Sequence, residues 1–305
     1  MSPLKRRSFI KSSLALGSSI ILGSSFLGKM LKAGNNFNAA DIYSTAGDDP
    51  MQGVIELFDS LGGIDKFVKS GSSVGFLVNS PWKVKGFYTD PDVAIAVIKL
   101  CKEAGAGKLI CYKPVRDGYW ESSKYYEEAE PIIREIVYGD ERTTVAIPDG
   151  KELKEAEIFK AFPESEVFIN IPVAKHHNGT LYSGTLKGLM GVSSRTTNRY
   201  MHSPDGEYTY SKQDYLAQCI ADLNLIRQPD LSIVDVIECG LENGPRGPGK
   251  TTNPNRIVAS TDVLAIDVYA ASLMGLNLSD ISTFKFAGEH KLGKDKLEKI
   301  SVSEV

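Results

Sequence analysis

The chain has 305 residues, 42% of them hydrophobic and 24% charged, with a formal net charge of −3. That length allows one large domain with a sizeable core. The first 33 residues hold Lys5, Arg6, Arg7, Lys11, Lys29 and Lys32 and no acid, so the remainder carries −9; an acidic domain excludes sequence-independent nucleic-acid binding, which needs a basic surface.

The chain opens on Lys5-Arg6-Arg7-Ser8-Phe9-Ile10-Lys11. This run resembles the twin-arginine export motif: paired arginines, a spacer, Phe, an apolar residue and Lys. Ser12 to Gly28 follows, moderately apolar and rich in Ser and Gly. It is too weakly apolar for a stable membrane span and reads as the core of a signal peptide. Residues 1–33 are therefore expected to be a twin-arginine leader that engages the twin-arginine export machinery. Ala33 and Ala39-Ala40 are candidate cleavage points. The mature protein is expected in the periplasm or another extracytoplasmic space of a bacterium, with no transmembrane span. The first cysteine is Cys101, so a lipoprotein anchor is not expected.

Residues 34–49 are polar and irregular and read as a linker; a domain is expected over residues 50–305. Met51 to Phe67 has helical spacing, broken at Gly62-Gly63. Ser73 to Asn79 is an apolar strand. Thr89-Asp90-Pro91-Asp92 opens a helix that runs to Ala104 and stops at Gly105. Lys108 to Tyr112 is the next strand, which completes a strand–helix–strand unit of the kind found in parallel sheets. A helix with Tyr125, Tyr126, Ile132 and Ile136 follows, then strands at Thr144 to Ile147 and Val167 to Pro172. The second of these is nearly all apolar, as a buried central strand requires.

Residues 174–210 read as irregular, with a short helix near Leu186. Ser211 to Ile226 is an amphipathic helix with a capping-box start. Leu231 to Ile237 and Arg256 to Ala259 are strands, separated by a Gly/Pro-rich loop at residues 240–255. Asp262 to Met274 is a helix closed by Gly275. The alternation predicts a single α/β domain, with a mostly parallel sheet and helices on both faces. In such sheets ligands bind beyond the carboxyl ends of the strands, which directs attention to the loops after Asn79, Pro172 and Ile237.

Cys101, Cys111, Cys219 and Cys239 stand alone, with no C-x-x-C and no zinc or cluster spacing. They sit in apolar helical or strand patterns and are expected to be buried free thiols.

Four groups of residues could carry chemistry. Lys175-His176-His177-Asn178-Gly179 directly follows the apolar strand. Neighbouring histidines in an extended chain point to opposite sides, so one of them, His177, is the better acid/base candidate. Gly184-Thr185-Leu186-Lys187-Gly188-Leu189-Met190-Gly191, with Arg195 beyond it, could bring backbone and Lys187 close to an anion; its spacing is not that of a Walker loop. Asp235 lies inside an apolar strand, and Asp267 among apolar helix residues. A buried carboxylate needs a partner, and for Asp235 that is expected to be Lys187 or a backbone donor. A solvated loop for the His cluster and structural anchors for the aspartates remain the competing readings.

These pieces, in this order, resemble the bacterial and archaeal family catalogued as domain of unknown function 362. The resemblance runs from about residue 54 to residue 277. It rests on the helix after Asn79, Lys175-x-His177, Lys187-Gly188-Leu189-Met190-Gly191, and the Asp235 strand with its Gly244-Pro245-Arg246-Gly247 loop. Asp262, Asp267 and Leu273-Met274-Gly275-Leu276 complete it. Leu77 and Gly188 stand where relatives often have Lys and Asn. Many relatives append a cysteine-rich ferredoxin-like segment that is absent here, so no iron–sulfur cluster is expected; the resemblance leaves the identity of any other cofactor open.

Together these features predict a pocket for a small anionic molecule. Asn79, Lys175, Lys187, Arg195 and Asp267 would line it, with His177 and Asp235 as catalytic candidates. The alternatives are a binding or accessory protein without turnover, or a divalent-metal protein built on His177, Asp235 and Asp267.

Overall fold

The computed structural model describes residues 40–204 and 213–305. The twin-arginine leader, and the Ser211 that opens the expected capping box, lie outside the described residues.

In chain order the elements are β1 (Ile42–Ala46), α1 (Pro50–Ser60), β2 (Ser73–Val78), α2 (Pro91–Glu103), β3 (Lys108–Cys111), α3 (Tyr126–Ile133), β4 (Val137–Tyr138), β5 (Arg142–Ala146), β6 (Glu155–Phe159) and α4 (Ala161–Glu164). There follow β7 (Val167–Ile171), β8 (Lys175–His177), β9 (Leu181–Ser183), α5 (Thr185–Gly188), α6 (Arg195–His202), α7 (Gln213–Leu223), β10 (Leu231–Val236), β11 (Cys239–Gly240), β12 (Thr251–Thr252), β13 (Arg256–Ser260), α8 (Val263–Leu273), α9 (Ser282–Glu289) and β14 (Val302–Glu304).

Eight strands form the central sheet in the order β14-β1-β13-β10-β7-β2-β3-β4. β13 is antiparallel to both its neighbours, and every other neighbouring pair is parallel. All five residues of β7 are buried, as its unbroken apolar run requires. Side chains alternate across the sheet. Val74, Phe76, Val78, Ile169 and Ile233 join one core with the apolar faces of α1 and α2. Leu77, Phe168, Val234 and Val236 join the other core with α7, α8 and α9. The sheet therefore carries helices on both faces.

Local chemistry explains the helix ends. Asp90 caps α2 by accepting the Asp92 N–H at 2.9 Å, and Pro91 fills the first turn. Asp262 caps α8 through the N–H groups of Leu264 and Ala265, at 3.1 and 2.8 Å. α8 is apolar almost all round, which suits a helix with eight of its eleven residues buried.

Three expectations need correction. The linker at residues 34–49 contains β1, a full member of the sheet. Its Ser44 and Thr45 are buried between neighbouring strands despite their polarity. The strand at Thr144 to Ile147 is β5, which pairs only with β6, in a hairpin outside the sheet. Within residues 174–210, the described part is ordered as the β8–β9 hairpin and the helices α5 and α6.

β1 and β14 lie side by side, with Ile42 opposite Val302. Asp41 fastens them: its carboxylate accepts the Lys294 ammonium at 2.7 Å and both the backbone N–H and the hydroxyl of Ser301 at 2.8 Å. All four cysteines are buried free thiols. Burial raises the thiols of Cys111 and Cys219 to about 12. Among the described residues no helix is long and apolar enough to cross a membrane.

Candidate functional site

β2 and β7 are parallel neighbours, so their carboxyl ends reach one edge of the sheet. Beyond that edge lies a cavity of about 320 Å³, at the small end of the usual ligand-pocket range. β2 delivers Asn79 to it, and β7 delivers Asn170 and Pro172. The β8–β9 hairpin supplies Lys175, His177 and Ser183, α5 supplies Lys187, and α6 supplies Asn198 and His202. Trp82 and Pro245 form part of the rim, and Arg246 stacks on the Trp82 ring at 4.9 Å.

Lys175 is 1% exposed. Its Nζ donates to Asn79 Oδ1 at 3.1 Å and to the Phe87 carbonyl at 2.6 Å. Lys187 is half-buried, and its Nζ meets the Met190 thioether at 3.3 Å, a weak acceptor. Burial, then the charge of Lys187, pushes Lys175 down to about 7, and burial pushes Lys187 down to about 8. Lys175 and Lys187 share the space with the exposed Lys113, and none of the three has a carboxylate within ion-pair reach among the described residues.

Lys187 is aimed by the short helix beneath it. Asp267, on α8, accepts the N–H groups of Thr185 at 2.6 Å and Leu186 at 2.8 Å, and the Tyr182 hydroxyl at 3.1 Å. Past the end of α7, Asn224 Nδ2 donates to the Leu186 carbonyl at 3.0 Å. α5 is thus tied at its start and in its middle. Gly184 precedes it because a Cβ there would strike the Tyr182 hydroxyl and the Asp267 carboxylate.

The neighbouring histidines diverge as extended backbone requires. His176 Nδ1 accepts the Gly244 N–H at 3.1 Å, which docks the Gly/Pro-rich loop. His177 Nδ1 accepts the Gly179 N–H at 3.0 Å. Burial first, then Lys187 and other nearby cations, lowers His177 to about 2. Because Nδ1 accepts, the neutral ring carries its proton on Nε2 and can donate a hydrogen bond from there.

Asn79, Lys175, His177 and Lys187 are brought together; Arg195, Asp235 and Asp267 are not among the lining residues. Arg195 stands exposed in the first turn of α6, where its charge keeps its water. Asp235 shares a sheet face with Ile233, so its carboxylate turns to the α1–α2 side. There it accepts the Asp90 N–H at 2.7 Å and the Ile237 N–H at 2.9 Å. Burial raises it to about 7. It lines a separate small cleft with Asp90, Tyr88 and Glu238. Asp267 is engaged under α5, and burial raises it to about 6. Of the two kinds of partner expected for Asp235, the backbone donors are present and Lys187 is not. Among the described residues no three His, Cys, Asp or Glu side chains stand close enough to hold a metal ion, so His177, Asp235 and Asp267 form no common metal site.

His202 and Asn170 are among the lining residues that escaped the sequence reading. His202 reads as solvated in a polar loop, yet it lies on α6 one turn beyond Asn198, and both face the cavity. Its Nδ1 lies 2.7 Å from the Asn198 carbonyl, which can only accept, so Nδ1 carries a proton. Asn170 is the one amide in the apolar run of β7. Its Nδ2 donates to the Thr185 carbonyl at 3.1 Å, and its Oδ1 has no partner among the described residues.

The profile of the family described as Domain of unknown function (DUF362) matches residues 77–272. The chain belongs to that family. The matched span includes Asn79, Asn170, Lys175, His177, Lys187, Asn198, His202, Asp235 and Asp267. No curated protein shows a detectable similarity to this DUF362 chain. Among solved structures it is similar to the lactate racemase apoprotein from Thermoanaerobacterium thermosaccharolyticum, with 12% identity and a TM-score of 0.42, over 81% of this chain and 59% of that one. A protein from Thermotoga maritima is similar at 13% identity and a TM-score of 0.35, over 62% of this chain and 51% of that one. The DUF362 chain thus spans between half and three-fifths of these two neighbours.

Proposed function

We propose that this protein binds a small anionic molecule, a carboxylate or a phosphate, in the cavity beyond β2 and β7. The observation that carries the reading is the pair Lys175 and Lys187, buried or half-buried in one cavity without a carboxylate partner among the described residues. Two ammonium groups about 4 Å apart repel by roughly 1 to 4 kcal/mol, depending on the local dielectric. A bound anion removes that repulsion and restores charge to both. His177 Nε2–H adds a neutral donor. We also propose that the domain acts outside the cytoplasm, on the strength of Arg6-Arg7 and the run behind them.

Isothermal titration of the purified chain with phosphate, acetate and pyruvate tests the first part. At least one should bind, and the Lys187→Met variant should lose tenfold or more of that affinity. Equal affinity in wild type and variant would remove the anion site. For export, an Arg6→Lys, Arg7→Lys double variant should accumulate in the cytoplasm; normal export of that variant would remove the twin-arginine assignment.

A further inference from the structure

Lys175 and Lys187, the two lysines of the cavity that are not exposed, are not equivalent. Lys175 has two oxygen acceptors, and hydrogen bonds to the charged form favour it. The 2.6 Å contact with the Phe87 carbonyl is of charge-assisted length. Lys187 has a thioether alone, and it is the more exposed of the two. Burial lowers both lysines, Lys175 the further, but its two oxygen acceptors hold the proton there, so when one proton must leave the coupled pair the contacts place the loss on Lys187. The result is a neutral amine at the wall of a solvent-connected cavity, beside a fixed ammonium. A desolvated lysine next to another cation is an activated nucleophile toward carbonyl carbon.

We propose that Lys187 forms an imine with a small oxo acid whose carboxylate is held by Lys175 and His177 Nε2–H. The inference rests on the anion-site reading and adds the carbonyl group. The Lys187 lone pair attacks the carbonyl carbon, and the C–O π bond opens onto oxygen. One Nζ proton moves to that oxygen and gives a carbinolamine. The hydroxyl then leaves with the second Nζ proton as water while the C=N bond forms. One amine and one carbonyl yield one imine and one water, with no change of oxidation state.

Two arms on the full chain test this, with peptide mapping by mass spectrometry. In the first, formaldehyde and cyanoborohydride are applied at pH 7.5. Only a neutral amine reacts, and an ordinary lysine is about one part in a thousand neutral there. Lys187 should be methylated at least tenfold faster than the exposed Lys83 and Lys296. A rate no higher than theirs overturns the proposal.

In the second arm, pyruvate and cyanoborohydride should add one reduced pyruvyl group to Lys187. Lys187→Arg, its fold checked by circular dichroism, should take none, and acetone should react at least tenfold less than pyruvate. Pyruvate that binds in calorimetry but leaves no adduct overturns the imine and leaves the anion site standing. An adduct on other lysines alone also overturns it. Equal reaction of acetone overturns the oxo-acid class.

Discussion

His177 Nδ1 accepts the Gly179 backbone N–H at 3.0 Å, so the proton of the neutral ring resides on Nε2. The contact also holds the turn between β8 and β9. It gives a residue that sequence alone marks as an acid/base a defined tautomer at the cavity wall.

Nitrogen-15 NMR should therefore report a single neutral Nε2–H tautomer for His177 from pH 5 to pH 8, because burial and nearby cations oppose charging. His177→Phe should weaken anion binding by roughly 10- to 100-fold, the worth of one hydrogen bond to a charged group. A protonation midpoint near 6.5 would return the residue to acid/base duty.

The lysine pair gives folding a pH dependence of definite sign. Both lysines have lowered affinity for protons in the folded state, so between about pH 7 and pH 10 the unfolded chain binds more protons. Stability then rises with pH across that window relative to a Lys175→Met, Lys187→Met double variant, and the penalty is greatest below pH 7. Paired urea titrations at pH 6.5 and pH 9.5 measure this difference. Anion affinity should move the other way and fall above pH 8, as the ammonium groups lose their charge.

Asp267→Asn should destabilise the protein by about 1–3 kcal/mol. The carboxylate serves two backbone N–H groups and a phenol, and an amide nitrogen cannot accept from any of them. Because these bonds seat α5, anion affinity should fall as well, although Asp267 lines no part of the cavity. Calorimetry and thermal unfolding of one preparation check both effects.

Asp235→Asn provides the contrasting case. It should lower stability by about 1 kcal/mol, through the bonds at the start of α2, and leave anion affinity unchanged. A tenfold loss of affinity would place Asp235 back in the site.

Much of this arrangement was legible from residue order. The apolar runs of β2 and β7 marked two parallel strands, and the residues just beyond them, Asn79 and Lys175, meet at 3.1 Å. Gly184 and the residues around Lys187 marked a close approach, which Asp267 provides. The side chain of Asp235 could have been assigned to the face of Ile233 by strand alternation. What alternation cannot supply is which face α5 occupies, since that depends on the path between β9 and α7. His202 was hidden for a different reason: its partner in spacing is Asn198, and two polar residues on a short helix look like a solvated surface. β1 was hidden because Ser44 and Thr45 are polar residues at buried positions, Thr45 giving its hydroxyl to Glu56 on α1.

The parallel pairing of β1 with β14 has a mechanical consequence. Ile42 opens one strand and Glu304 closes the other, so the two attachment points lie at opposite ends of a shared ladder. A pull between residues 40 and 305 would run along the strands and load their hydrogen bonds together in shear, rather than peel them one at a time. The Asp41 contacts with Lys294 and Ser301 lie in the same load path. The cavity at β2 and β7, with β13 and β10 standing between it and β1, would be shielded from tension until that edge gave way.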